Sequence, residues 1–157
     1  MKKERMTRDE YYLAVLEAVR QRSTCDRGKS GAIIVKENRI ITAGYVGAPT
    51  GMPHCDGEGH VMETRKREGE SPSVHCIKTV HAELNAILQA ASFGISIKWG
   101  IMFCTMTPCF ECAKAIVNVG ISKVVAVCPY QKQEWTIWLF ERVGIHFNMI
   151  DPEGKLY

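Results

Sequence analysis

His81-Ala82-Glu83 and Pro108-Cys109-Phe110-Glu111-Cys112 are the residues of this 157-residue chain whose types and spacing could do chemistry together. One imidazole and two thiolates form the three-ligand set of a catalytic zinc, which keeps its fourth position for water. Zinc lowers the pKa of that water toward ~7 and so makes a nucleophile at neutral pH. Glu83 stands two residues past His81, too near in sequence for a comfortable fourth ligand. It is well placed to take a proton from the water and to return protons to a substrate. These residues point to hydrolysis, with His81, Cys109 and Cys112 on the metal and Glu83 as general acid and base. A lone Cys-x-x-Cys would fit a structural zinc or a redox pair equally well. The His-x-Glu that precedes it, across an intervening strand, favours the catalytic reading.

Both groups must open helices. Val80 to about Ala91 carries Leu84, Ile87, Leu88 and Ala91 on one stripe, and Cys109 to Val119 reads as a second helix. A Cys-x-x-Cys at a helix N-terminus brings both sulfurs to one side, where free N–H groups and the dipole favour thiolate. Pro108 suits the position before the helix because no donor is needed there. Around these helices, Asp9 is expected to cap a first helix running to about Arg22, and Gly31–Val35 with Ile40–Tyr45 reads as a hairpin. Gly100–Met106, Lys123–Val127 and Ile145–Met149 are expected strands, with a helix over Glu134–Val143. An opening hairpin followed by alternating strands and helices implies an α/β sandwich with parallel pairing in its second half. Residues 1–157 read as a single domain, with no internal repeat.

Between Gly47 and about Val74 the density of glycine and proline excludes regular structure over most of the segment. Within it, Arg65-Lys66-Arg67 followed by Glu68 and Glu70 reads as a solvated loop. So long a loop needs something to hold it. It contains Cys55 and His60, with His75 and Cys76 just beyond it and Cys25 ahead of the hairpin. A closed tetrahedral zinc on Cys25, Cys55, His60 and Cys76 would contribute folding energy directly. His75 could replace His60 or Cys76, and buried thiols with surface imidazoles are the alternative. Cys104 and Cys128 lie in apolar strands and read as core, and His146 reads as structural.

Composition bounds the class. Apolar residues at 46% and charged residues at 24% describe a globular protein, and no apolar run reaches a membrane span of ~20 residues. Seven cysteines without an apolar export signal point to reduced thiols and a cytoplasmic location. A net charge of +3 falls short of the strongly basic character of a dedicated nucleic-acid binder.

The combination of His-x-Glu with Pro-Cys-x-x-Cys is a recognised signature of zinc nucleobase deaminases. The chain as a whole resembles the deoxycytidylate (dCMP) deaminase family of the cytidine deaminase superfamily. Carrying the resemblance are Arg22-Ser23-Thr24-Cys25, Gly31–Val35, Gly44-Tyr45-Val46-Gly47, His81 through Ile87 and Pro108 through Cys112. It implies a three-layer sandwich with a five-stranded mixed sheet flanked by helices. It also implies conversion of dCMP to dUMP for thymidylate synthesis, and often a homo-hexamer tuned by dCTP and dTTP. Some viral and bacterial relatives are similar in carrying a second zinc. Val46 stands where the family usually has asparagine, a residue that looks like a sugar-hydroxyl contact in relatives. Valine offers no such bond, and a buried unmatched hydroxyl costs roughly 1–3 kcal/mol. Either the sugar is held otherwise or the substrate differs, a 5-substituted dCMP among the options.

Arg22 and Ser23 are the local candidates for a phosphate, against a helix C-cap cation and a loop hydroxyl. Tyr130 could flank a base or fill the sheet edge. Competing functions are deamination of a base in nucleic acid, which would want a basic, aromatic-lined approach, and a non-catalytic zinc or nucleotide-sensing module. Trp135 and Trp138, at helical spacing, read as packing residues and do not argue for a nucleic-acid track. Glu83 speaks against the module, which needs the ligands but not that carboxylate.

Overall fold

The structure is a computed structural model that describes residues 4–66 and 71–155. Helix α1 (Arg8–Arg20) starts earlier than a cap at Asp9 would place it. Thr7 is the cap: its hydroxyl accepts from the Glu10 amide while the Glu10 carboxylate accepts from the Thr7 amide, a reciprocal capping box. Strands β1 (Gly31–Lys36) and β2 (Arg39–Tyr45) form the hairpin through Glu37 and Asn38, both at positive φ, as a tight two-residue turn between twisted strands requires.

The segment after β2 is more regular than its glycines and prolines indicate. It holds a short helix α2 (Cys55–Glu58) and an antiparallel ribbon of β3 (Met62–Arg65) and β4 (Ser73–Cys76). The ribbon's side chains are mostly polar or exposed, so it lacks the apolar alternation that marks a half-buried strand. Arg65 thus belongs to a strand and not to a loop, while Arg67, Glu68, Gly69 and Glu70 lie outside the described residues. Helix α3 (Ala82–Ser92), β5 (Ile101–Met106), α4 (Phe110–Asn118), β6 (Lys123–Cys128), α5 (Glu134–Val143) and β7 (His146–Met149) complete the chain.

The main sheet has five strands in the order β2-β1-β5-β6-β7. β1 is antiparallel to both neighbours, and β5, β6 and β7 run parallel. Strand alternation splits the core in two. Ala32, Ile34, Met102, Cys104, Val124 and Ala126 face α3, α4 and α5 through Ala86, Ile116 and Phe140. Ile33, Val35, Phe103, Val125 and Val127 face α1 through Tyr12 and Leu16. This is a three-layer sandwich of a five-stranded mixed sheet between helices, as the resemblance implied. Cys104 and Cys128 are buried core thiols, whereas His146 is exposed on β7. Trp135 and Trp138 do not pack inward: they are 58% and 48% exposed and meet each other edge to face. Thr136 and Phe140 take the inner face of α5. Among the described residues no helix is long and apolar enough to cross a membrane.

Gly44 sets how closely α3 lies on β2. A Cβ there would overlap the Ala82 carbonyl oxygen and the Ala86 amide nitrogen, backbone atoms that cannot swing aside. The same approach lets the Asn85 amide donate to the Tyr45 carbonyl oxygen at 2.7 Å. Gly44→Ala is expected to lower stability by about 1–3 kcal/mol by overpacking, read as a fall in thermal midpoint. An unchanged midpoint would mean that α3 lifts off the strand without cost.

Candidate active site

His81 and Cys109 occupy equivalent places, each the residue capping a helix, α3 and α4 respectively. Both have extended backbone, φ −69 and ψ 153 for His81, φ −65 and ψ 163 for Cys109. Their side chains therefore leave the helix axis at its positive end, where free N–H groups favour thiolate. Cys112 follows within the first turn of α4. The two helix starts converge, with His81 Nδ1 3.4 Å from Cys109 Sγ and 3.6 Å from Cys112 Sγ. The Pro108 turn is held from behind by the buried Thr136 hydroxyl, which donates to the Pro108 carbonyl oxygen at 2.9 Å.

The Cys109 thiol is drawn down to about 4, first by the hydrogen bond with Cys112 and then by His81. The Cys112 thiol is pushed up by Cys109 and by burial. The Cys109 bond in turn raises His81. Glu83 is buried in the first turn of α3, and burial pushes its pKa up. Tyr130 is half-buried beside the same groups. Its phenol is raised by burial and then by the negative charges of Cys109, Glu83 and Cys112.

Two thiols beside an imidazole are a soft donor set of the kind zinc takes. Ligands held at about 2.0–2.3 Å around one tetrahedral ion lie roughly 3.5–3.8 Å from each other, and the His81 separations fall in or close to that range. The residues present fit zinc.

A second donor group comprises Cys25, Cys55, His60 and Cys76, whose ligand atoms all lie within 4.8 Å of one another. Cys25 Sγ is 3.7 Å from His60 Nδ1, and Cys55 Sγ is 3.8 Å from Cys76 Sγ. The other ring nitrogen of His60 meets the Asp26 carboxylate at 2.8 Å, the arrangement that orients a metal-ligating histidine. Burial pushes the Cys55 thiol up to about 12. Burial would raise Cys76 as well, but hydrogen bonds led by that from His60 outweigh it and bring Cys76 down to about 7. The group joins α2 and β4 to the segment that follows α1.

His75 stands apart from this quartet. It neighbours Cys76 on β4 and therefore points to the other face of the ribbon, where its Nε2 lies 2.9 Å from the Ser73 hydroxyl. Val46 is buried with Cys25 and Cys55, so its side chain packs on the second donor group. Ser23 donates its hydroxyl to the Ser30 carbonyl oxygen, and Arg22 is exposed. A cleft of about 540 Å³ lined by Thr24, Tyr45, Gly47, Thr50 and Asn85 contains none of His81, Glu83, Cys109 or Cys112. Sequence reasoning missed Asp26 and Thr136, which carry no motif and become visible only through what they touch.

A five-stranded mixed sheet with two helix N-termini converging on His81, Cys109 and Cys112 defines a deaminase of the cytidine deaminase superfamily. Residues 6–128 match the family described as "Cytidine and deoxycytidylate deaminase zinc-binding region", and the chain belongs to that family, on its deoxycytidylate deaminase branch. It is 34% identical over 153 residues to ComE operon protein 2 of Bacillus subtilis, covering 98% of this chain and 76% of that protein. It is 36% identical over 151 residues to the deoxycytidylate deaminase of Enterobacteria phage T2, covering 78% of this chain and 80% of that protein. The crystal structure of the dCMP deaminase from cyanophage S-TIM5 in complex with dCMP and dUMP superposes with a TM-score of 0.74 at 29% identity. That superposition covers 94% of this chain and 99% of the phage chain.

Proposed function

We propose that this chain is one catalytic domain that hydrolyses dCMP to dUMP and ammonia. The observation that carries the reading is the buried Glu83, in the first turn of α3 two residues past His81, next to the donor group His81, Cys109 and Cys112. A merely structural metal site has no use for a carboxyl buried at its edge, because an unpaired acid there costs stability.

Zinc held by His81, Cys109 and Cys112 would supply the nucleophile by lowering the pKa of a coordinated water toward about 7. Glu83 takes a proton from the attacking water as the new carbon–oxygen bond forms at the amino-bearing ring carbon. It delivers that proton to the adjacent ring nitrogen. Glu83 then carries the second proton of the water to the amino group, and ammonia leaves as the carbon–nitrogen bond breaks. A carboxyl whose proton affinity is raised by burial suits this double duty near neutral pH. Tyr130 forms a wall against which the pyrimidine lies. Arg22, exposed at the end of α1, and Ser23 beside it are the candidates for the phosphate side. Since the Val46 side chain is buried against Cys25 and Cys55, another group meets the sugar hydroxyl.

Cys25, Cys55, His60 and Cys76 hold a second, structural zinc in this reading. Supply of dUMP for thymidylate synthesis follows from the product. Assembly as a homo-oligomer under dCTP and dTTP control is what resemblance to the family adds.

Ammonia release is the direct test, with equal concentrations of dCMP, cytidylate, deoxycytidine, dCTP and 5-methyl-dCMP, each with and without added dCTP as effector. Turnover confined to deoxycytidylate-type monophosphates is the expected outcome. Silence across the panel with zinc bound would overturn the assignment and favour a polymer substrate or a non-catalytic role.

A further inference from the structure

Two consecutive residues of the segment after α1 reach both nitrogens of one imidazole. Cys25 Sγ lies 3.7 Å from His60 Nδ1, and the Asp26 carboxylate lies 2.8 Å from His60 Nε2. In a neutral imidazole one nitrogen carries the hydrogen and the other keeps its lone pair. A carboxylate can only accept, so the nitrogen that faces Asp26 carries the hydrogen. The lone pair is then left on Nδ1, the atom that faces Cys25 within the second donor group.

The backbone that carries Asp26 is tied down by bonds that involve none of the four donors. Ahead of it, the Thr24 amide donates to the Val46 carbonyl oxygen at 3.1 Å, and the Thr24 carbonyl oxygen accepts from the Asp56 amide at 3.3 Å. Behind it, the Arg27 guanidinium donates to the Val74 carbonyl oxygen at 3.4 Å, two residues before Cys76 on β4. The segment is thus fastened to the residue after β2, to α2 and to β4. Val46 packs against Cys25 and Cys55 on the apolar side of the group, whereas Asp26 is 73% exposed. An exposed carboxylate in an ordinary ion pair contributes little. One bonded to the back of a metal ligand holds the ring in line with the ion and raises the ligand's basicity.

Resting on the reading of a second, structural zinc above, we infer that Asp26 is a positioning residue of that site: it fixes His60 as an Nδ1 ligand and holds the imidazole in place before the ion arrives. Asp26 does not touch the metal. Retention of the second ion, and with it the tie between α2, β4 and the segment after α1, then depends on a side chain outside the ligand set.

The test is the zinc affinity of the second site in the zinc-loaded full chain, measured by competition with a chromophoric chelator for the parent, Asp26→Ala, Asp26→Asn and Asp56→Ala. Affinity is expected to fall about 10- to 100-fold in Asp26→Ala, with the ion on His81, Cys109 and Cys112 retained. A smaller fall is expected in Asp26→Asn, which keeps an acceptor for the Nε2 hydrogen but not the charge. Asp56→Ala removes an exposed carboxylate next to Cys55 and should bind as the parent does, which separates contact with His60 from net charge. Nitrogen-15 NMR of the zinc-loaded parent should show the His60 ring with its hydrogen on Nε2 and the metal on Nδ1. Metal on Nε2 overturns the role of Asp26. So does a loss in Asp26→Ala no larger than the roughly fivefold of an exposed ion pair, or an equal loss in Asp56→Ala. A parent that binds one zinc per chain overturns the second-zinc reading and this one with it.

Discussion

Glu83→Gln is expected to lower kcat on dCMP by about 10²- to 10⁴-fold, the range over which a positioned general acid–base contributes. Glutamine matches the shape of the carboxyl, but it cannot accept the proton of the attacking water. Zinc content should be unchanged, because His81, Cys109 and Cys112 remain. The thermal midpoint should be at least that of the parent, since the variant no longer buries an ionisable acid. KM should change little, as the lost interaction belongs to the transition state. Steady-state kinetics together with metal analysis separates these outcomes. Parent-like turnover would remove Glu83 from the mechanism, and loss of zinc would recast it as a residue that shapes the metal site.

Cys55→Ser is expected to reduce bound zinc from about two ions per chain to one, and to loosen the segment between Gly47 and Val80. The donor group it breaks ties α2, β4 and the segment after α1 together. Structural zinc in small peptides binds with an apparent free energy of about 10–16 kcal/mol at neutral pH. A domain's whole stability is only about 5–15 kcal/mol, so losing even part of that binding energy should lower the thermal midpoint by many degrees. Limited proteolysis should then cut within the segment before it cuts the sheet. Activity should fall too, because Gly47 and Val80 bond to each other immediately before His81. One zinc per parent chain, or a Cys55→Ser variant as protease-resistant as the parent, would show that the four residues act as buried thiols and an imidazole without a metal.

How much of this could be read before the fold was known depended on the range of each interaction. The helices after Val80 and Cys109 were legible from apolar stripes, and the donor group of His81, Cys109 and Cys112 from a pair of short motifs, because spacing within a helix turn is local. The expected cap at Asp9 gave way to Thr7 because Thr7 and Glu10 satisfy one another's amides, a choice decided by backbone geometry. Trp135 and Trp138 share helical spacing with the buried Thr136 and Phe140. Periodicity locates a stripe but does not say which stripe meets the sheet.

The residues alone carried the two motifs of a zinc-binding deaminase family. One imidazole, two thiols and a carboxyl, placed at helix starts by their neighbours, have few uses besides zinc-assisted hydrolysis, and covalent spacing delivers most of that arrangement. Tertiary structure decided what surrounds it: Asp26 behind His60, Val46 against Cys25 and Cys55, His75 on the ribbon face opposite Cys76. Each depends on strand register or on approach across dozens of residues. A one-residue slip of β3 against β4 would exchange the two faces of the ribbon, and register is set by the packing of the whole domain.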